Sequence, residues 1–133
     1  MNDELPFPED EIVPFYNHEG RAVFYLYSDG QYFYHYDGTP LAYLHNNEYI
    51  VSFSGEYLGW VYNGWIIDYS DGSYAFFSPH ASGGVSRPSR KSRPSRSSRR
   101  SRPSRSSRES RPSRPSRTTC WSEKSSEDYF PDY

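Results

Sequence analysis

From about residue 11 to residue 79, hydrophobic side chains come in short runs such as AVFYLY and EYIVSF, interrupted every eight to ten residues by clusters of Gly, Asn, Asp and Ser. Runs of that length bounded by turn residues predict an antiparallel meander. Aligning Gly20, Gly38, Gly55 and Gly72 gives spacings of 18, 17 and 17 residues and brings GRAVFYL, GTPLAYL, GEYLGWV and GSYAFFS into register. Val23, Leu41, Leu58 and Ala75 then stand at offset three, and Tyr25, Tyr43, Trp60 and Phe77 at offset five. Two residues apart on an extended strand means one face, so these two sets are expected to point the same way. Offset four holds Phe24, Ala42, Gly59 and Phe76, a large and small alternation that suits a tapered barrel interior or leaves a narrow apolar channel.

Between the aligned glycines lie Ser28-Asp29-Gly30, His45-Asn46-Asn47 and Tyr62-Asn63-Gly64. Asp-Gly and Asn-Gly steps fit tight hairpin turns because those residues tolerate positive φ. The pattern predicts eight strands near 12–17, 22–28, 31–36, 40–45, 48–53, 57–62, 65–69 and 73–78, paired as four hairpins about the repeat glycines Gly20, Gly38, Gly55 and Gly72. Several strands are apolar on both faces, so both faces must be covered. The fold expected is all-β: four repeated antiparallel hairpins in a small closed or nearly closed barrel, with Tyr25, Tyr43, Trp60 and Phe77 as the repeat core aromatics. The organisation expected is a flexible acidic start at 1–10, a β domain at 11–79 and a disordered tail at 80–133.

Composition changes the picture in two ways. The first 80 residues hold 12 Tyr, 7 Phe and 2 Trp, enough aromatic area for a short chain to build a core. The net charge of −2 hides a segregation: residues 1–80 have 12 acids against Arg21, whereas residues 81–117 have 12 Arg and Lys91 against Glu109. In that basic segment an arginine recurs every third residue, at Arg87, Arg90, Arg93, Arg96, Arg99, Arg102, Arg105, Arg108, Arg111, Arg114 and Arg117. The Arg-x-Ser unit, rich in proline and like charge, cannot form a core and favours an extended polyproline II bias. Its arginines are the candidate anion-binding residues, toward RNA, DNA or anionic lipid. A solvated expansion without a ligand, and self-association of the basic tail with the acidic domain, are the competing readings. The segment 118–133 ends in an acidic aromatic stretch whose Tyr129, Phe130 and Tyr133 could anchor a docking motif.

Little else points to chemistry. His18, His35, His45 and His80 have no metal-ligand spacing, and Asp29, Asp37 and Asp71 each offer one carboxylate in a turn, where calcium loops need several. Cys120 has no base beside it, and no paired carboxylates, nucleotide fingerprint or hydrolase motif is identifiable. No catalytic site, metal or cofactor is expected. The lone cysteine and the absence of an apolar run long enough for a secretory signal or a membrane span lead to an expected cytoplasmic location. The Gly-Trp repeats are similar to choline- or glucan-binding hairpins, but a register of 17 to 18 residues argues against those.

The stretches FYNHEGRAVFYL, YDGTPLAYL and FSGEYLGWVYNGWIIDYSDG resemble the bacterial four-fold β-flower proteins over about residues 12–78. The G-x-x-x-G-W element, here Gly55 to Trp60, is the most specific feature. The resemblance implies four hairpins radiating from a shallow barrel, and no activity or catalytic residues. The tail after Pro79 falls outside it, and GSYAFFS lacks the leucine that closes the first two units. The functional expectation is a non-enzymatic interaction or scaffold domain with a polycationic tail. The alternatives are an accessory protein binding nucleic acid or another anionic polymer through Arg-x-Ser, and peripheral association with anionic membrane.

Overall fold

The computed structural model describes residues 6–8 and 10–131. Eight strands follow the turn signals: β1 Val13–Tyr16, β2 Ala22–Leu26, β3 Tyr32–His35, β4 Pro40–His45, β5 Tyr49–Ser52, β6 Tyr57–Tyr62, β7 Trp65–Asp68 and β8 Tyr74–Phe77. Each pairs antiparallel with the next, and β8 returns to β1, so the sheet is a closed barrel. Closure rests on one residue pair, Tyr16 with Phe77. A short helical turn, α1 at Ser126–Tyr129, follows the tail.

The four aligned glycines all have positive φ, from 78° to 96°, a conformation that side chains with a Cβ resist. At the other end of the hairpins, Asn46, Asn47 and Asn63 also take positive φ. The turn aspartates stay local. Asp29 accepts the N–H groups of Gln31 and Tyr32, Asp37 that of Thr39, and Asp71 that of Ser73.

In every petal the register slips at one place. Phe15 pairs with Phe24 but Tyr16 with Ala22, and the same step skips Leu41, Leu58 and Ala75 in the other three hairpins. Offset three is thus a β-bulge in all four repeats, which bends each petal at its root. This corrects the expectation that offsets three and five share a face. The extra residue puts offsets three and four together inside and turns offset five outward. Leu41, Leu58 and Ala75 join Phe24, Ala42 and Phe76 in the inner cluster, whereas Tyr43, Trp60 and Phe77 belong to a second cluster and Tyr25 to a third. The interior is led by phenylalanine: Phe24 stacks on Phe15 at 5.1 Å and meets Phe76 edge-on at 4.8 Å.

The space beside Gly59 is filled by the chain's own end. Tyr129 and Phe130 are buried within the inner cluster, Phe130 edge-on to Phe24 at 4.9 Å and Tyr129 edge-on to Phe76 at 5.1 Å. The Tyr129 hydroxyl donates to the Leu58 carbonyl at 2.7 Å, and a Cβ on Gly59 would collide with it. Docking of the aromatic terminus is therefore realised within the chain by Tyr129 and Phe130; Tyr133 lies outside the described residues. Phe7 packs on Phe15 at 5.4 Å and lines the barrel mouth beside the Asp29 and Asn47 turns.

Candidate functional site

Residues 86–117, expected to be loose, run along the outside of the barrel without forming helix or strand. Backbone hydrogen bonds hold them at a regular interval. The N–H groups of Lys91, Arg100, Glu109 and Thr118 donate to the carbonyls of Gly20, Gly38, Gly55 and Gly72 respectively, at 2.9, 2.9, 3.0 and 2.9 Å. Between them, Ser97 and Ser106 donate to Tyr36 and Phe53 at 2.8 Å. Donors nine residues apart meet glycines one petal apart, so the segment is a belt advancing one petal per nonapeptide. The same glycines are closely approached: a Cβ at any of the four would strike the carbonyl oxygen of Ser89, Ser98, Ser107 or Ser116. Two independent constraints, positive φ and the passing belt, thus select glycine at those positions.

The belt side chains use the outward aromatic face. Arg96 lies over Tyr25 at 5.7 Å, Arg105 over Tyr43 at 4.5 Å and Arg114 over Trp60 at 5.1 Å, again nine residues apart. Arg87 takes the fourth place, over Trp65 at 5.7 Å, next to Phe77. The repeat aromatics are therefore buried as core residues are, yet on the outer face of the barrel and beneath arginines. Between these contacts Arg90 covers Tyr16, Arg99 covers Tyr27 at 3.6 Å, Arg102 covers Tyr32 at 4.0 Å, Arg111 covers Tyr49 and Arg117 covers Tyr62 at 3.9 Å. Guanidinium groups also donate to hydroxyls, Arg99 to Tyr27, Arg102 to Tyr34, Arg114 to Tyr49 and Arg117 to Tyr74. A single such contact at an exposed site contributes only about 0.5–1 kcal/mol, so seating the belt depends on many acting together.

The belt makes one full turn. It leaves the barrel past Gly83 and Gly84, both at positive φ, crosses petals one to four in order, and comes back at Trp121. Trp121 packs on Trp65 at 5.4 Å, on Phe77 at 6.0 Å and on His18 at 6.2 Å. Both ends of the belt therefore lie over the β1–β8 seam, where the sheet has its fewest backbone pairs. Glu109, the belt's one acid, serves the third petal as a hydrogen-bond acceptor: its carboxylate takes the Tyr57 N–H at 2.8 Å, and Arg114 pairs with Glu48.

These surroundings shift several groups. Burial first, with Arg93 and Arg96 opposing it, pushes the Tyr36 hydroxyl up to about 12. Burial raises Tyr69, which donates to the Pro112 carbonyl, and holds Tyr129 well above the usual tyrosine range. His45 is lowered by desolvation and then by Arg108, Arg105 and Arg111. All the belt arginines nevertheless remain exposed, including those that lie over rings.

The signal that the belt is more than a triplet repeat was present in the sequence. Pro94, Pro103 and Pro112 stand nine apart, and SRPSRKSRP, SRSSRRSRP and SRSSRESRP are successive copies of one nonapeptide. Among the described residues no group of three or more His, Cys, Asp or Glu converges as metal ligands would, and Cys120 is exposed at the belt's end.

Comparison with curated proteins and with solved structures gives no match. A family model described as 4-fold beta flower protein does match, over residues 13–130, which takes in the belt and the terminal plug as well as the barrel and so extends beyond the 12–78 expected from the resemblance. With its eight antiparallel strands closed into a barrel of four like hairpins, the chain belongs to the 4-fold beta flower family.

Proposed function

We propose that this chain is a non-enzymatic interaction module, with the barrel acting as a spool that displays the arginine belt to anionic polymers such as RNA or DNA. The observation that carries the reading is the state of the belt arginines: fixed on tyrosine and tryptophan rings at three-residue spacing, and exposed to solvent. Cations already ordered lose less entropy on meeting a polyanion than those of a free tail. A guanidinium keeps its donors available for phosphate oxygens while its flat face rests on a ring. The family is not a known enzyme family, and the turn carboxylates are occupied with their own backbones. In this reading the protein works in the cytoplasm, where such polymers are abundant.

The test is retention of single-stranded RNA and of duplex DNA by the full chain across a salt series. The expected result is binding at low salt that falls linearly in a log–log plot, with a slope of roughly −0.7 per phosphate contacted on the single strand. Absence of retention at low salt would remove the reading. Sedimentation with anionic vesicles but no retention of either polymer would move it to a membrane surface.

A further inference from the structure

We propose that the sector of the belt between petals one and two is a discrete site for a compact polyphosphate. This rests on the polyanion reading and narrows it to one place. A groove of about 1130 Å³ opens there, lined by Arg93, Arg96, Arg99, Arg100 and Arg102 over Tyr34 and Tyr36, and among the described residues no carboxylate lines it. Five guanidinium groups around one groove repel each other, and a multiply charged anion relieves that repulsion while accepting paired N–H donors.

The four petals are not equal in this respect. The nonapeptide 95–103 has Arg100 at the position held by Glu109 in the next unit and by Thr118 in the one after. In the next unit Glu109 turns inward to the Tyr57 N–H, and Glu48 pairs with Arg114 one nonapeptide further on, so the belt beyond the groove is partly neutralised. Within the groove, the arginines divide into two kinds. Arg96, Arg99 and Arg102 are pinned on Tyr25, Tyr27 and Tyr32, which fixes one wall before any ligand arrives. Arg93 and Arg100 stack on no ring among the described residues and are able to swing onto an anion. The Tyr36 hydroxyl, protonated at neutral pH, adds a neutral donor at the floor.

The experiment is calorimetric titration of the full chain with inorganic triphosphate in low salt, beside RNA retention by the same samples. Wild type is expected to bind triphosphate at one site per chain. R93Q/R100Q, which removes no ring contact, is expected to weaken that binding at least tenfold. R108Q/R117Q loses the same charge elsewhere on the belt and is expected to weaken it less than threefold. Near-ultraviolet circular dichroism checks that the aromatic face is unchanged in R93Q/R100Q; R108Q/R117Q, which gives up the Arg117 contact with Tyr62, serves as the charge control. Equal weakening by the two variants, or no triphosphate binding while RNA is still retained, would overturn the site and leave the general belt reading in place. Loss of RNA retention in wild type would overturn both.

Discussion

Gly59 shows how one missing side chain is used twice. It faces the barrel interior at offset four, and the void it leaves receives the Tyr129 hydroxyl, while the Ile67 carbonyl lies 2.5 Å from where a Cβ would sit. Gly59→Ala is expected to cost about 1–3 kcal/mol in chemical denaturation by overpacking. Y129F should cost about 1 kcal/mol by removing one of the two donors of the Leu58 carbonyl, the Tyr69 N–H staying in place. The double variant should be less damaged than the sum, because removing the hydroxyl removes part of the clash; the Ile67 carbonyl keeps that rescue partial. Strict additivity would mean the plug does not occupy this place. A second residue, His45, reports on the belt directly. Its midpoint in an NMR pH titration is expected below 6.5, through desolvation first and the belt arginines second. Because the folded value is depressed, the unfolded state takes up the proton first, and His45 lowers stability as pH falls from 6.5 to the folded midpoint. Raising the salt should lift the midpoint part of the way, since screening weakens the arginine contribution and leaves desolvation intact.

At the scale of elements, the strands and reversals were legible from turn chemistry alone; β4 Pro40–His45 and β6 Tyr57–Tyr62 fall on the expected 40–45 and 57–62. The inward position of Phe24 and Phe76 and the outward position of Tyr25 and Phe77 were not. Alternation with a period of two assumes an unbroken strand, and a bulge at offset three shifts every residue after it without leaving a mark in composition. The double-sided apolarity of the strands requires cover, but nothing in the strands themselves identifies the arginine segment as that cover. An Arg-x-Ser triplet is simpler than the nonapeptide containing it, and only the latter matches the petals. Phase is therefore the belt's structural property. Deleting the triplet Ser104–Ser106 keeps the composition and nearly all the charge, yet displaces Glu109 from Tyr57 and Thr118 from Gly72. The deletion is expected to lower Tm by several degrees, corresponding to about 1–3 kcal/mol for the orphaned Tyr57 N–H alone. A variant with Ser104, Ser106 and Ser107 changed to Thr, in phase, should melt close to wild type. Equal melting of the deletion and wild type would mean the register carries no energy.

For the whole molecule, the charge segregation and the aromatic surplus are one feature. The first 80 residues hold twelve acids and the belt 12 arginines, and the tyrosines that exceed the needs of a small core form the track on which the arginines lie. The belt bridges the barrel's narrow β1–β8 seam with both its ends, and the terminal plug fills the interior beside Gly59. Alkali should loosen this arrangement in a defined window. Tyr36 ionises at about 12 in the fold and near 10 when unfolded, so its contribution is complete below pH 10 and is lost as pH rises to 12, on the order of 2 kcal/mol. Tyr69 and Tyr129, also raised, add to the same decline. Equilibrium denaturation at pH 9 and pH 11 should show the loss, and unchanged stability would contradict the burial assigned to these hydroxyls.

The central claim is that the arginine segment is seated in step with the petals, and amide hydrogen exchange read by NMR on the full chain tests it most directly. The account predicts slowed exchange at Lys91, Ser97, Arg100, Ser106, Glu109 and Thr118, whose N–H groups bond the barrel, and faster exchange at the residues between them. Exchange at the rate of a free chain, uniform from Ser86 to Arg117 under conditions where the strands are protected, would contradict it.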